Sequence, residues 1–127
     1  MAAIGDLFEY KQISDPNVLV GIIKKPVIER EEADMILDYV LNETEKLFTF
    51  DNYILDVSHV DQINAGVVGI LMKSLNFLKK FKGYVILVMS EPFLQKIMLQ
   101  HPEMFDFYAV FHSIEDAVTF IQRHHEK

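Results

Sequence analysis

The chain has 127 residues, half of them hydrophobic, with a formal net charge of −7 and no cysteine. That length and apolar content suit one compact domain that buries its core without metal or disulfide support, and they exclude a disordered or tail-like chain. Without cysteine there is no disulfide framework, thiolate metal site or Cys nucleophile.

The start, MAAIGDLFEYKQ, lacks the basic and apolar pattern of a secretory leader, and no run of about 18 apolar residues occurs, so membrane insertion is not expected and the expected address is the cytoplasm. The acidic balance also works against a surface for phosphate backbones, which needs clustered Lys and Arg, so no nucleic-acid partner is expected.

In chain order, Leu7 to Ile13 and Val18 to Ile23 read as two strands separated by the turn signal Ser14-Asp15-Pro16-Asn17, an antiparallel pair. From Glu29 to Phe48, apolar residues recur at Ala33, Ile36, Leu37, Val40, Leu41, Thr44 and Leu47 with charged residues between them, the pattern of an amphipathic helix. Tyr53 to Val57 (YILDV) is short and nearly all apolar, as a strand covered on both faces should be.

A helix then runs from about Asn64 to Lys82, and a second buried strand, Tyr84 to Met89, follows Gly83. Two such strands joined through a helix imply a right-handed parallel crossover. The cluster Lys79-Lys80-Phe81-Lys82 closes that helix, where cations offset the C-terminal end of the macrodipole. Glu91-Pro92 opens a short helix with Phe93 to Gln100 as its body; Phe107 to Phe111 forms a last strand; and Ser113 to Asp116 resembles a capping box for a final helix through His124. The predicted fold is α/β: a mixed, mostly parallel sheet of about five strands with an N-terminal antiparallel pair and about four helices.

Ligands of open α/β sheets bind beyond the carboxyl ends of the strands, which makes the segment after Val57 the default site. It holds Asp56, Ser58, His59 and Asp61, but sequence neighbours do not converge as nucleophile, base and orienter, so a triad is not expected. Asn64-Ala65-Gly66 followed by Gly69, with no Lys before Lys73, fails the pattern of a phosphate-cradling loop. A receiver-like phosphoacceptor domain would need an acidic pair after its first strand and a Lys after its last, and neither is present. The five histidines are scattered and His124-His125-Glu126 reads as a polar tail, so neither a metal site nor a cofactor is proposed.

The helix itself carries more signal than the loop. At about 100° per residue, Val67, Val68, Ile70, Leu71, Met72, Leu75, Phe77, Leu78 and Phe81 cover an arc of roughly 220°, about twice what a sheet-covering helix needs. The surplus belongs either to a neighbouring helix or to a partner-binding face near Val68 and Met72.

The element order, together with "YILDVSHV", "GVVGILMKSLNFLKKFKGYVILV" and "FLQKIMLQHPEMFDFYAVFHSIEDAVTFI", resembles the STAS domain of bacterial anti-sigma-factor antagonists over about Val18 to Ile121. In that family the loop before the corresponding helix usually reads Asp-Ser-Ser-Gly or Asp-Ser-Ala-Gly. A kinase-type anti-sigma factor phosphorylates the first Ser, and the added charge disrupts the docked partner. Here Asn64 or Ala65, depending on the alignment, falls on the acceptor position, and no Ser or Thr lies between Ser58 and Ser74.

The resemblance therefore implies a non-enzymatic protein-binding module in transcription regulation whose usual loop phosphorylation is absent. Its partner is a protein, a kinase-type anti-sigma factor being the family example. The expected contact surface comprises Ser58, His59, Asp61, Gln62, Asn64, Ala65, Gly66, Val68 and Met72. Three alternatives remain open at this stage: Ser58 or Ser74 as a displaced acceptor, the same fold holding a small apolar ligand or lipid, and a structural, self-associating role in a larger signalling assembly.

Overall fold

The computed structural model describes residues 4–14, 16–62, 64–78, 83–102 and 109–125, with the side chains of all of these but 47, 75 and 125. The elements are α1 (Ile4–Leu7), β1 (Phe8–Ser14), β2 (Asn17–Ile23), α2 (Arg30–Leu47), β3 (Asn52–Asp56), α3 (Ala65–Leu78), β4 (Val85–Val88), α4 (Glu91–Gln100), β5 (Ala109–Phe111) and α5 (Ile114–His125). The strands form one sheet in the order β1-β2-β3-β4-β5, antiparallel between β1 and β2 and parallel elsewhere.

The expected β-β-α-β-α-β-α-β-α order is present, preceded by one helical turn that four apolar and polar residues are too few to announce. Leu7, expected in the first strand, instead closes α1, and its carbonyl accepts a hydrogen bond from Lys24 N at 2.8 Å. The basic cluster at 79–82, Phe107 and Tyr108 of the expected last strand, and Asp15 of the first turn lie outside the described residues.

Alternation along the strands divides the core in two. Leu19, Ile23, Tyr53, Leu55 and Leu87 face α2, α3 and α4, whereas Val18, Val20, Ile22, Ile54, Ile86 and Val88 face α5 through Ala117 and Ile121. This is why β3 and β4 are apolar on both faces. Opposite Tyr10, a Cβ on Gly21 would fall 2.7 Å from Phe8 Cζ and 2.9 Å from the Tyr53 hydroxyl, so only glycine leaves room for those rings. The Tyr10 hydroxyl then bonds Thr44 Oγ1 at 2.6 Å and the Tyr53 hydroxyl at 2.9 Å, tying β1 to α2 and β3 through buried polar atoms.

The helix boundaries follow local chemistry. Glu32 Oε1 accepts from the Glu29 N–H at the start of α2, Ser90 Oγ from Phe93 N at the start of α4, and Ser113 Oγ from Asp116 N at the start of α5. Along α2, Ala33, Ile36, Leu37, Val40 and Thr44 are buried as their spacing predicts, but Leu41, at the edge of the stripe, is 41% exposed.

Candidate functional site

β3 ends in Asp56, which is 5% exposed, and its carboxylate accepts the Ser58 N–H at 2.9 Å. The acid is thereby occupied in an Asx-type turn that bends the chain off the sheet. Val60, fully buried, donates its N–H to the Val57 carbonyl at 3.0 Å and plugs the loop into the core, and Asp61 N donates to Pro26 O at 2.8 Å. Ser58 is half-buried, and His59, Asp61 and Gln62 are exposed around this anchored turn.

Asn64 immediately precedes α3 and caps it. Its Oδ1 accepts from Val67 N at 3.0 Å, its carbonyl accepts from Val68 N at 3.0 Å, and its Nδ2 donates to the Ile28 carbonyl at 3.0 Å. One side chain thus satisfies an orphan helix donor and also pins α3 to the segment leading into α2. Gly66 completes this junction: a Cβ there would lie 3.1 Å from Ala33 Cβ, so the two helices approach closely over a glycine. Lys25 and the Glu29 N–H hold the Glu32 carboxyl below its usual pKa, which locks the same segment from the other side, with a Lys25–Glu32 separation of 2.6 Å.

Two grooves flank the exposed ridge of α3, whose members Ala65, Gly69 and Lys73 follow one another at i, i+4 and i+8. The first, about 600 Å³, opens toward α2 and is lined there by Arg30, Asp34 and Leu37. The second, about 510 Å³ and mostly apolar, opens toward the end of α4, with Val68 and Met72 on one wall and Gln100 and His101 on the other. Arg30, Asp34 and Lys73 make no ion pair among the described residues.

The structure thus gathers Asn64, Ala65, Gly66, Val68 and Met72 around one helix start, while Ser58, His59, Asp61 and Gln62 lie on the preceding turn and line neither groove. The wide apolar arc of α3 resolves largely into its own core. Val67, Ile70, Leu71 and Leu78 are buried, and Val68, Met72 and Phe77 pack half-buried against the same cluster, with α2 alongside. Ser74 is 1% exposed and its hydroxyl has no hydrogen-bond partner, which removes it as an accessible phosphoacceptor. Sequence reasoning did not find the groove walls on α2 and α4, because their approach to α3 is a tertiary event with no local signature. Among the described residues no group of three or more His, Asp or Glu could hold a metal ion, and no helix is long and apolar enough to cross a membrane.

By sequence the chain matches no family model and no curated protein. By structure it is similar to TM1081 of Thermotoga maritima, described as a candidate anti-sigma factor antagonist. The crystal structure of that protein gives a TM-score of 0.74 at 20% identity, over 91% of this chain and 95% of the other. Its NMR structure gives 0.70 at 19% identity, over 92% and 90%. An anti-sigma-factor antagonist (STAS) domain protein from Planctomyces limnophilus gives 0.66 at 9% identity, over 90% of this chain and 97% of the other. The fold of the chain is the STAS fold.

Proposed function

We propose that the chain is a protein-binding regulator of the anti-sigma-factor-antagonist kind, without catalytic activity of its own, that docks through the turn at 58–62 and the first turns of α3 and is not phosphorylated at the usual loop position. One observation carries the reading. The residue that begins α3, Ala65, is exposed and has no hydroxyl, and its neighbour Asn64 uses its side chain for capping. Ser74 is buried, and Ser58, half-buried with its N–H held by Asp56, lies on the turn before α3 rather than at the helix start where the usual acceptor stands. Docking is then governed by the abundance or state of the partner rather than by charge added to this chain.

The test is a pull-down from the native cell with wild type and Ala65→Glu as baits. Ala65 is exposed, so the substitution leaves the core untouched, whereas Val68→Asp or Met72→Asp also strips apolar packing and needs a folding control by circular dichroism. Loss of the same partner with Ala65→Glu supports the surface, and unchanged capture rejects it. Incubation with the captured kinase and ATP checks the missing switch: stoichiometric phosphate on this chain would overturn it.

A second reading, a STAS protein that holds a small apolar ligand or lipid, is favoured by the apolar groove of about 510 Å³ beside Met72. Native mass spectrometry of freshly purified protein distinguishes it by a co-purified mass.

A further inference from the structure

We infer that the groove between α3 and α4 receives one amphipathic helix of the partner protein, laid across Gly69 with an acidic edge toward Lys73. The inference rests on the docking function proposed above and specifies the chemistry of what docks.

The fold has no internal use for the glycine at this point. A Cβ on Gly69 would meet nothing within 4 Å, and its backbone is ordinary α-helix, so neither crowding nor a left-handed conformation excludes alanine, which would strengthen the helix. The missing side chain instead keeps the outer ridge of α3 low, which lets an external backbone pass close to the helix axis. Beside that ridge the groove wall is apolar at Val68 and Met72, and the facing wall is formed by Gln100 and His101 at the end of α4.

The occupant follows from backbone accounting and charge. Along Val68, Gly69, Met72 and Lys73 the α3 wall is helix interior, and only the helix ends at Ala65 and at Gln100 and His101 leave backbone groups open, so an extended peptide would find no continuous ladder partner and would bury unpaired N–H and C=O groups. A helix satisfies its own backbone and can present apolar anchors at i, i+3, i+4 and i+7. The stretch of α3 from Asn64 to Lys73 is about 14 Å long, some two and a half turns, which matches such anchors. Among the described residues Lys73 is exposed, no carboxylate lines this groove with it, and it makes no ion pair. An acidic edge complements it and a basic one does not.

The experiment uses the whole chain with its methionine methyls labelled with carbon-13, titrated with two synthetic helical peptides. Both peptides have the same Ala/Leu face, and they differ only in carrying Glu or Lys along one edge. The expected result is that Met72 shifts with the Glu-edged peptide, at least ten-fold tighter than with the Lys-edged one. Lys73→Glu is expected to reverse that preference, and Gly69→Leu, whose Cβ meets nothing within 4 Å in the free protein, to weaken binding at least ten-fold. No shift with either peptide, equal affinity for both, or shifts confined to other methionines would overturn the inference. The captured partner separates the two proposals: loss of capture with Ala65→Glu but not with Gly69→Leu or Lys73→Glu leaves docking at the start of α3 standing and rejects the groove, whereas unchanged capture with all three rejects both.

Discussion

Replacing Asn64 tests whether the residue that precedes α3 is structural. Asn64→Ala removes the acceptor for Val67 N and the donor to the buried Ile28 carbonyl, both at 3.0 Å. Loss of a helix cap costs about 1 kcal/mol, and loss of a second hydrogen bond to a part-buried carbonyl costs about 1 kcal/mol more. The sum, about 2 kcal/mol, lowers Tm by roughly 8 °C in a domain of this size. Asn64→Ser keeps the cap but cannot reach Ile28, so about half the effect, roughly 1 kcal/mol, is expected.

Urea unfolding followed by circular dichroism measures both, with a shifted midpoint at constant slope as the signature of a pure stability change. Hydrogen exchange at the Val67 amide reports the cap directly, since that proton loses its acceptor with Ala and keeps one with Ser. If Asn64→Ala stays within about 0.5 kcal/mol of wild type, or if Ser is as damaging as Ala, the two-bond account of this residue is wrong.

Three further outcomes are expected. Gly69→Ala should stabilise the chain by about 1 kcal/mol, read as a higher urea midpoint, because it fills open space inside a helix with a better helix former. Ser74→Ala should be neutral or slightly stabilising in the same assay, since it removes a desolvated hydroxyl that has no partner. Burial holds the Tyr10 hydroxyl up at about 12, against the opposing hydrogen bonds with Thr44 and Tyr53. The folded value lies above the unfolded one, so the stabilisation is complete below about pH 10 and is lost as pH rises to about 12, at most about 3 kcal/mol in all. Tyr10→Phe should flatten that alkaline fall in unfolding free energy while lowering stability near neutrality by about 1 kcal/mol through the orphaned Thr44 hydroxyl.

The strands and long helices were legible because their burial is written in periodicity: two-faced apolar runs for β3 and β4, a 3.6-residue stripe for α2. Leu41 marks the limit of that signal, since the period places it near the stripe but only the tertiary packing decides whether anything covers it. The surplus arc of α3 is the sharper example. Periodicity registers how many apolar residues a helix has, not how they divide between sheet, neighbouring helix and solvent, and here most of the surplus serves the protein's own core. The site was legible as a place, through the rule that ligands gather beyond strand carboxyl ends, and through the resemblance that picked out Asn64 and Ala65. Its architecture was not, because Ile28, Asp34 and Gln100 reach the start of α3 only through chain reversals tens of residues away in sequence.

The absence of a hydroxyl at this site is not imposed by the fold. Ala65 is exposed at the first helical position, and serine there would meet no packing constraint. Asn64 is different, because its amide serves both as acceptor to Val67 and as donor to Ile28, and serine has no group long enough to do the second. Packing therefore explains why position 64 is asparagine and leaves position 65 free. Under the proposed docking, a partner that sits continuously at the start of α3 gains nothing from a hydroxyl whose modification would expel it. Ala65→Ser is accordingly expected to leave stability and docking unchanged in unmodified protein, and to weaken docking only where a kinase acts on the new serine. Weaker binding by the unphosphorylated variant would mean that the partner already excludes even an oxygen at this point.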